Sequence, residues 1–492
     1  MSKKGILLIL DGYGEGAPSE FNAVSNANTP FLHSLKNGPH SLLKTDGEAV
    51  GLFEGVMGGS EVGHTTIGAG RVITSTAKAI HDDIKSGKFF KNKNFVKTLS
   101  MLEKNNGNLN LVGLMSDKNV HSNINHALEI VRAASSKVNR IFLHLITDGR
   151  DCGTTDSLKY LKQIKRAIKQ VKNCEIASIS GRAYAMDREN NLERTNLAFN
   201  AMFGCADGED IENVDNHLKM RHFQGETDEF IKPARVKTKH NAKITKNDCV
   251  FFFNFREDRL RQLAKKVNDE LPAFITTMAN VSTAKSLVLY PTKAVKGTLS
   301  EHLSNLNKSQ VKISESTKYA HVTYFLNGGE ETPFAGEDRI HIPTAKVVKL
   351  DVLPEMQAKK ITKSTIKSIK KNYDAIIINY SNADMIGHTG NYLAALKSLE
   401  CLDKCVKKVA DYALKHDYFV LITADHGNIE QMRTETGEEH TAHTLNKVIC
   451  AVITNQNIKM KQNGELKDVA PTFLSLMQVE QNSQFKGKSL LV

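Results

Sequence analysis

The chain has no tryptophan, and its seven cysteines are scattered without a single Cys-x-x-Cys pair. An odd number of cysteines without the spacing of a metal site is typical of free thiols in a reducing cytoplasm. No apolar run approaches the roughly 18 residues that a membrane-spanning helix needs, and the opening MSKKGILLILDG lacks a secretory cleavage site. These absences predict a cytoplasmic protein and argue against the disulfide-stapled, secreted and membrane-spanning classes.

The composition is that of a folded globular protein with an excess of positive charge. Of the 492 residues, 40% are apolar and 24% are charged, which argues against the disordered and collagenous classes. At roughly 150 residues per domain, the length predicts two to three domains. The formal net charge of +12 is compatible with either a nucleic acid or an anionic small molecule as the partner.

Short apolar runs alternate with amphipathic stretches, and this alternation predicts an α/β fold. The predicted strands are Gly5–Leu10, Ile141–Thr147, Ile176–Ser180, Val250–Phe253, Ala375–Tyr380, Phe419–Thr423 and Val448–Ile453. Apolar residues at helical spacing predict an amphipathic helix over 392–414, and we interpret the lysine-rich segment 359–371 as a helix with a solvated outer face. Several predicted strands end in polar clusters, which are candidate sites because ligands bind at the carboxyl ends of parallel strands.

Side chains that commonly bind metals are concentrated between residues 384 and 443. They are Asp384 with His388, Asp425 with His426, and His440 with His443, and Asp11 adds a carboxylate after the first predicted strand. Asp384 and His388 are four residues apart, so one helical turn or a tight loop would direct both at one point. Asp425 and His426 are adjacent, so their side chains are expected to diverge and could serve two separate ions. Oxygen and nitrogen donors without thiolates indicate Mn²⁺ or Zn²⁺ rather than a structural zinc site.

A glycine-rich turn, Met57–His64 (MGGSEVGH), presents Ser60 near the amino end. The turn resembles a nucleophile elbow in exposing its hydroxyl, but it lacks both the Gly-x-Ser-x-Gly spacing and the lysine of a phosphate-binding P-loop. A serine without an adjacent base can instead be activated by metal coordination. Glycine-rich loops are also commonly structural, so the motif alone leaves both interpretations open.

Ten sequence segments resemble segments of the cofactor-independent phosphoglycerate mutases and occur in the same order along the chain. They are LILDGYG, GGSEVGHTTIGAGR, SDKNVHS, DGRD, SGRAYAMDR, FNFREDRLRQ, ESTKYAHVTYFLNGG, ADMIGHTG, TADHGN and HTAHT, and they extend from the first predicted strand to residue 444. The resemblance implies an alkaline-phosphatase-like metal domain, a mostly parallel sheet flanked by helices, interrupted by a large inserted α/β substrate domain. It assigns residues 1–76 and 294–492 to the metal domain and 77–293 to the insertion.

The resemblance also implies two Mn²⁺ ions and a covalent phosphoserine. One ion is implied at Asp384, His388 and His443, and the other at Asp11, Ser60, Asp425 and His426, with His440 as an alternate to His443. Ser60 is the implied nucleophile in the interconversion of 3-phosphoglycerate and 2-phosphoglycerate, without 2,3-bisphosphoglycerate.

A further set of residues is implied to bind the substrate. Arg150, Asp151, Arg182 and Arg188 are implied to hold the glycerate carboxylate and hydroxyls, and Arg256, Arg259 and Lys318 the transferring phosphate. Forked guanidinium donors suit such oxygens better than a lysine does. His121 is implied to transfer the proton of the reacting hydroxyl, and we expect its pKa near neutrality.

Three positions depart from the usual family pattern. Gly59 stands where the family usually has asparagine, and Ser381 and Ala383 replace the usual residues before the Asp-Met pair.

Two other functions remain to be distinguished. A phosphopentomutase or phosphomonoesterase would share the metal ligands but lack the arginine strings. A nucleic-acid-binding protein would show basic and aromatic clusters, whereas the arginines here lie among Asp, Gly and His. The resemblance therefore implies a monomer with a small-molecule substrate and without a nucleic-acid or membrane partner.

Overall fold

The computed structural model describes residues 3–204, 209–292 and 294–492. The chain divides into two compact units, one formed by Met1–Ser75 and Lys293–Val492 and the other by Thr76–Thr292. We call them the discontinuous unit and the inserted unit. Lys293, the predicted last residue of the insertion, lies outside the described residues. None of the described helices combines the length and the apolar character that crossing a bilayer requires.

Both units alternate strands and helices, so the predicted α/β class is confirmed. The described strands are β1 (Lys4–Leu10), β2 (Gly14–Glu15), β3 (His40–Lys44), β4 (Leu109–Leu114), β5 (Ile141–Thr147), β6 (Cys174–Gly181), β7 (Glu209–Ile211), β8 (Ala234–Val236), β9 (Cys249–Phe252), β10 (Phe274–Ala279), β11 (Ser286–Tyr290), β12 (Gln310–Glu315), β13 (Glu337–Ile342), β14 (Ala375–Tyr380), β15 (Tyr418–Thr423), β16 (Lys447–Ile453) and β17 (Asn463–Glu465). The described α-helices are α1 (Ala23–Asn26), α2 (Pro30–Ser34), α3 (Ser60–Ala69), α4 (Thr76–Lys85), α5 (Lys93–Asn105), α6 (Ile124–Ala134), α7 (Ser157–Ile168), α8 (Arg182–Ala185), α9 (Leu192–Phe203), α10 (Val214–Phe223), α11 (Arg261–Glu270), α12 (Leu299–Asn305), α13 (Ala358–Lys370), α14 (Asn382–Gly387), α15 (Tyr392–Leu414) and α16 (Val469–Met477).

The sheet of the discontinuous unit has the order β13-β12-β14-β1-β15-β16-β3-β17, with β2 paired to β16. The strands β13, β12, β14, β1 and β15 are mutually parallel, whereas β16 is antiparallel to both of its neighbours in that order. All residues of β14 and β15 are buried. Central parallel strands are covered on both faces, and this is why they occur in the sequence as continuous apolar runs rather than alternating ones.

The helices of this unit bury one face and expose the other, as their residue spacing predicts. The asparagine before α15 caps it, because the Asn391 side chain accepts a hydrogen bond from the Ala394 N–H, and Leu399, Val406 and Val409 are buried along one stripe. The lysines of α13 are exposed while Ile361 and its other apolar residues face inward. The basic segment 359–371 therefore has the predicted solvated outer face.

The sheet of the inserted unit has the order β11-β10-β9-β4-β5-β6-β8-β7. Its strands are parallel except where β6 meets β8. The chain segments that follow β9, β4, β5 and β6 include Arg256, His121, Arg150 and Arg182, respectively. Because these four strands are neighbours, their carboxyl ends bring the four side chains to one edge of the sheet.

A polar side chain lies in the centre of this second sheet. His144 on β5 is fully buried. Its two ring nitrogens lie 3.0 Å from the Ser178 Oγ atom and 3.2 Å from the Asn110 Oδ1 atom, respectively. The neutral ring satisfies both contacts, with Nε2 donating to the amide oxygen and Nδ1 accepting from the hydroxyl. Burial lowers the pKa of His144 to about 3.

This buried imidazole makes the stability of the inserted unit depend on pH. The pKa is about 3 in the folded protein and about 6.5 in the unfolded chain, so the unfolded chain binds more protons between these values. The stability is fully present above about pH 6.5 and falls as the pH drops towards 3, by up to about 1.36 kcal/mol per pH unit. We expect His144→Gln to flatten this decrease, as measured by urea unfolding followed by circular dichroism. His416→Gln, at an exposed position, is the control, and identical pH slopes for His144→Gln and wild type would contradict the prediction.

Candidate functional site

Four charged side chains of the discontinuous unit follow four neighbouring strands. Lys318, Asp384, Asp11 and Asp425 come shortly after β12, β14, β1 and β15, which are adjacent in that order in the sheet. Because the carboxyl ends of parallel strands meet at one edge, residues far apart in sequence converge there. The polar segments after these four strands thus form one site in the discontinuous unit.

The first cluster consists of Asp384, His388 and His443, whose ligand atoms lie within 4.8 Å of one another. The two Nε2 atoms are 3.1 and 3.2 Å, respectively, from the Asp384 Oδ1 atom. Their Nδ1 atoms are held by backbone carbonyls, that of His388 by Thr441 at 2.7 Å and that of His443 by Gly58 at 2.8 Å. Because each Nδ1 atom donates its proton to a backbone carbonyl, the Nε2 atoms of both rings face the carboxylate, and this is the ring orientation of metal-binding imidazoles.

The second cluster consists of Asp11, Asp425 and His426, again with ligand atoms within 4.8 Å of one another. The Ser60 Oγ atom lies 3.2 Å from Asp11 Oδ1 and 2.9 Å from His426 Nε2. The expectation that the side chains of Asp425 and His426 diverge is wrong, because the turn after β15 brings ligand atoms of both into this cluster. The ring of His426 also stacks on that of His443, with centroids 3.8 Å apart, so the two clusters are in contact.

Ser60 is the first residue of α3, and the extended Gly59 precedes it. The positive end of the helix dipole therefore points at the serine and favours negative charge on its oxygen. A Cβ atom on Gly63 would lie 2.9 Å from the Cβ atom of Asp425, so glycine lets α3 pack against the ligand loop. A Cβ atom on Gly59 would lie 3.5 Å from the His443 ring, which is an ordinary contact.

Lys318 lies between the two clusters. Its Nζ atom is 2.6 Å from Asp11 Oδ1 and 2.7 Å from Asp384 Oδ2, and it donates a hydrogen bond to Ser60 Oγ at 2.5 Å. Burial opposes its charge, but Asp11 and Asp384 outweigh burial and raise the pKa of Lys318. The ammonium group is thus charged at every pH near neutrality.

The crowded charges shift the pKa values of the carboxyl groups in opposite directions. Burial and the charge of Asp425 raise the pKa of Asp11. Burial opposes ionisation of Asp384 as well, but hydrogen bonds from its two cluster histidines hold its pKa well below the ordinary value. At Asp425 the interaction with His426 and other neighbouring groups outweighs burial and lowers the pKa. The site therefore holds negative charge firmly on two carboxylates and less firmly on the third.

The donors and charges of the two clusters fit divalent cations. The buried Asp425 Oδ2 atom accepts no hydrogen bond within the described residues; the His64 Nδ1 atom, 3.2 Å away, lies 2.9 Å from the Ser60 carbonyl oxygen. Three buried carboxylates surround one ammonium group in the described structure, so more positive charge is needed to offset their burial. Carboxylate oxygens and imidazole nitrogens are suitable donors for Mn²⁺ and similar ions.

Sequence analysis missed the side chains that support these clusters. Asn379 Nδ2 donates to Asp11 Oδ2 at 2.7 Å and lies 3.0 Å from His64 Nε2. Asn428 Nδ2 donates to Asp384 Oδ1 at 3.0 Å. One signal was available, because a buried amide near the end of an apolar strand, such as Asn379 on β14, requires a polar partner.

In the inserted unit, arginine side chains line a cavity of about 220 Å³. The lining arginines are Arg150, Arg182, Arg188, Arg194 and Arg259. Burial and the neighbouring guanidinium charges lower the pKa of Arg259. Three carboxylates, those of Asp187, Glu189 and Glu229, line the cavity as well, so the five guanidinium groups leave an excess of positive charge that favours an anion.

Arg182 organises this cavity. Its Nη1 atom donates to Asp148 Oδ1 at 2.5 Å and to Asp151 Oδ2 at 2.7 Å, and its Nη2 atom donates to His121 Nε2 at 3.1 Å. The same Asp148 oxygen accepts hydrogen bonds from the N–H groups of Arg150 and Asp151. These hydrogen bonds connect the DGRD turn, residues 148–151, to the SGR turn that contains Arg182.

His121 is buried and neutral. Because an arginine can only donate, the Nε2 atom of His121 carries no proton and the ring has its proton on Nδ1. Burial and the charge of Arg182 lower the pKa of His121 to about 4. The expected pKa near neutrality is therefore wrong for this environment, and His121 is a hydrogen-bond acceptor at pH 7.

The two arginines of the NFREDR string differ in their positions. Arg256 precedes the 3₁₀ turn Glu257–Arg259, and the Nε atoms of Arg256 and Arg259 lie 3.1 and 3.3 Å, respectively, from carboxylate oxygens of Asp258. Arg259 lines the cavity, whereas Arg256 is outside the set of lining residues. Arg194, which no motif singled out, does line it.

Comparisons with known proteins agree along the whole chain. The family model of the Metalloenzyme superfamily matches residues 3–481. The chain is 40% identical to the 2,3-bisphosphoglycerate-independent phosphoglycerate mutase of Clostridium botulinum strain Langeland, over 100% of both proteins. It is 41% identical to the 2,3-bisphosphoglycerate-independent phosphoglycerate mutase 1 of Methanosarcina acetivorans, over 99% of this chain and 98% of the relative. It also resembles the crystal structure of Leishmania mexicana phosphoglycerate mutase at low cobalt concentration, with a TM-score of 0.71 and 26% identity over 100% of this chain and 98% of that chain.

The loop before β16 offers a matched pair of histidines for testing the first cluster. His443 belongs to the cluster, whereas the His440 Nδ1 atom donates to the Gln431 carbonyl at 2.9 Å, outside it. We expect His443→Ala to retain about one divalent ion per chain where wild type retains about two, because a ligand is lost from one site only. His440→Ala should match wild type. Metal analysis by mass spectrometry after dialysis measures both, and equal metal contents in the two variants would refute the assignment.

Proposed function

The chain belongs to the 2,3-bisphosphoglycerate-independent phosphoglycerate mutases of the Metalloenzyme superfamily, and we propose that it interconverts 3-phosphoglycerate and 2-phosphoglycerate through a phosphoserine at Ser60. The family predicted from the ten sequence strings is confirmed by these relatives. The observation that supports the serine mechanism is the position of the Ser60 Oγ atom, which has Lys318, Asp11 and His426 within 3.2 Å.

Ser60 is the nucleophile in this proposal. Its Oγ atom accepts a hydrogen bond from Lys318 Nζ, so its own proton points to Asp11 Oδ1 or His426 Nε2. As that proton is given up, the oxygen attacks phosphorus and the bond between phosphorus and the glycerate oxygen breaks. Lys318 and the amino end of α3 stabilise the negative charge that develops in this step.

Two divalent cations, proposed to be Mn²⁺, would lower the pKa of the Ser60 hydroxyl and offset the charge on the phosphoryl oxygens. The residues proposed to hold one are Asp384, His388 and His443, and those proposed to hold the other are Asp11, Ser60, Asp425 and His426.

The inserted unit is proposed to bind the glycerate part of the substrate. Arg150, Arg182 and Arg188 line the cavity and present forked donors that match a carboxylate. Asp151 orients Arg182 and accepts from a substrate hydroxyl, and we assign Arg256 and Arg259 to the phosphate oxygens. A substrate that stays bound while its other hydroxyl attacks the phosphoserine is rearranged rather than hydrolysed.

His121 is proposed to move the proton of that hydroxyl. With a pKa of about 4 it is neutral at pH 7, and its Nε2 lone pair can accept a proton from the glycerate hydroxyl as the phosphoryl group returns. The protons balance within one turnover: the leaving glycerate oxygen takes up a proton as Ser60 gives one up, and Ser60 regains one as the other glycerate hydroxyl gives its proton to His121.

The arginine cavity also separates this function from its alternatives. A phosphomonoesterase or phosphopentomutase would need the two metal clusters but not a cavity of guanidinium groups for a small carboxylate. We further propose a cytoplasmic monomer that acts on a small molecule and has no nucleic-acid or membrane partner.

The direct assay of this function uses purified protein, Mn²⁺ and 3-phosphoglycerate without bisphosphoglycerate, and couples 2-phosphoglycerate formation to enolase.

Ser60→Ala tests the covalent step. Alanine removes the nucleophile and keeps the turn, so we expect turnover in the coupled assay to fall by roughly 10³-fold or more. Thr65→Ala, on the same helix, is the matched control and should retain wild-type turnover. Rapid quenching of wild type with labelled substrate should place the label on the Ser60 peptide. Label on a histidine peptide, or a tenth of normal turnover in Ser60→Ala, would refute the mechanism.

Arg188→Ala tests the substrate cavity. Arg188 lines the cavity and forms no ion pair among the described salt bridges, so its removal leaves no buried carboxylate unpaired. We expect kcat/KM to fall about 10- to 150-fold, corresponding to about 1.5–3 kcal/mol for hydrogen bonds to a charged group. Arg132→Ala, whose Nη1 atom is paired with Glu129 on the exposed surface of α6, is the control. Unchanged kinetics in Arg188→Ala would exclude Arg188 from substrate binding.

A further inference from the structure

A buried carboxylate that is not among the proposed metal ligands connects three loops of the discontinuous unit. Glu430 lies after β15 and is 2% exposed. Its Oε2 atom accepts hydrogen bonds from the N–H groups of Asn428 at 2.8 Å and Gly14 at 3.2 Å. Its Oε1 atom accepts from the Thr444 hydroxyl and from Asn446 Nδ2, the latter at 3.0 Å. Both oxygens are therefore saturated with donors.

Three of these donors are close in sequence to proposed metal ligands. Gly14 is three residues after Asp11, Asn428 is two residues after His426, and Thr444 directly follows His443. A second link reinforces the last one, because the Thr444 N–H donates to the Gly427 carbonyl at 3.1 Å. One carboxylate thus joins the loops of the second cluster to the loop that supplies His443 to the first.

The backbone around Glu430 is shaped to admit it. A Cβ atom on Gly14 would lie 2.3 Å from the Glu430 carboxylate, and one on Gly427 would lie 2.2 Å from its Oε1 atom. Neither glycine has the left-handed backbone that would by itself require glycine. Both positions are small because the carboxylate occupies the space, so the loops close around Glu430.

The same carboxylate also acts on the first cluster by a second route. Asn428, whose N–H is held by Glu430, donates from its side chain to Asp384 Oδ1 at 3.0 Å. Glu430 forms no ion pair among the described salt bridges, so its burial is offset by oriented dipoles alone. If stability were its only role, a carboxylate buried in this way would be unfavourable, because an apolar side chain could fill the same space without the cost of burying a charge.

We propose that Glu430 is a positioning residue that couples the two metal clusters. It fixes the His443 loop against the Asp425-His426 loop and thereby sets the stacked arrangement of His426 and His443. Residues that orient metal ligands commonly change metal affinity about 10- to 100-fold when they are lost. The inference rests on the proposed assignment of these histidines as metal ligands.

The test is Mn²⁺ binding to metal-free protein, measured by titration calorimetry. Wild type should bind two ions. Thr444→Val removes the hydroxyl that donates to Glu430 and accepts from the Asn446 N–H, so we expect about 10-fold weaker binding at one site and unchanged binding at the other. Glu430→Ala should weaken both sites by about 10- to 100-fold.

Conservative replacement and a buried control separate positioning from a loss of packing. In Glu430→Gln the amide oxygen can still accept from the Gly14 and Asn428 N–H groups, so we expect affinities between those of wild type and Glu430→Ala. Asp403→Asn alters another buried carboxylate of this unit, which accepts from the Leu32 N–H at 2.8 Å, and should bind Mn²⁺ like wild type. If Glu430→Ala does not fold, Thr444→Val and Glu430→Gln carry the test.

The outcomes are distinct. Two ions bound with wild-type affinity by both Glu430→Gln and Thr444→Val would overturn the positioning role, as would an equal weakening in Asp403→Asn. A wild-type protein that binds no Mn²⁺ would instead overturn the proposed function, and the coupling inference with it.

Discussion

The arrangement of the charged side chains in the discontinuous unit depends on the repulsion among three buried carboxylates, which other groups must offset. Asp11, Asp384 and Asp425 meet at the carboxyl ends of three adjacent parallel strands, where water cannot screen them. Lys318 offsets part of that charge, and the same ammonium group holds the Ser60 oxygen. Burial and this excess of negative charge raise the pKa of Asp11, whereas hydrogen bonds from His388 and His443 hold the pKa of Asp384 low. The excess of negative charge also makes the site suitable for divalent cations.

The inserted unit has a similar sheet, but its strand ends carry mainly positively charged side chains. Its sheet is also largely parallel, and the polar loops again follow neighbouring strands, but here guanidinium groups rather than carboxylates converge. Arg182 is neutralised by two aspartates, and Arg150, Arg194 and Arg259 also have carboxylates within 3.5 Å. Arg188 is the cavity arginine without an ion pair among the described salt bridges. One unit therefore requires cations and the other an anion, and a reaction that transfers a phosphoryl group on a small carboxylate uses both.

Much of the fold was predictable from residue patterns because strands and helices depend on neighbours in the chain. Buried parallel strands such as β14 and β15 occur as continuous apolar runs, and α15 shows the helical spacing of its buried stripe. Asp384 and His388 could be paired for the same reason, since four residues separate them on one helical turn. The order of the strands in each sheet had no such local cause, and it is what brings Lys318 beside Asp11.

The sequence by itself therefore determined the α/β class, the family and the types of chemically active side chain. The tertiary structure decided how those side chains act, because their environment depends on contacts between residues that are far apart in the chain. Adjacent Asp425 and His426 converge rather than diverge because of the turn after β15. His121 is neutral because folding buries it beside Arg182. Glu430 and Asn379 carried no motif at all, and their roles arise only where separate loops meet, since a hydrogen-bond network has no period in the sequence.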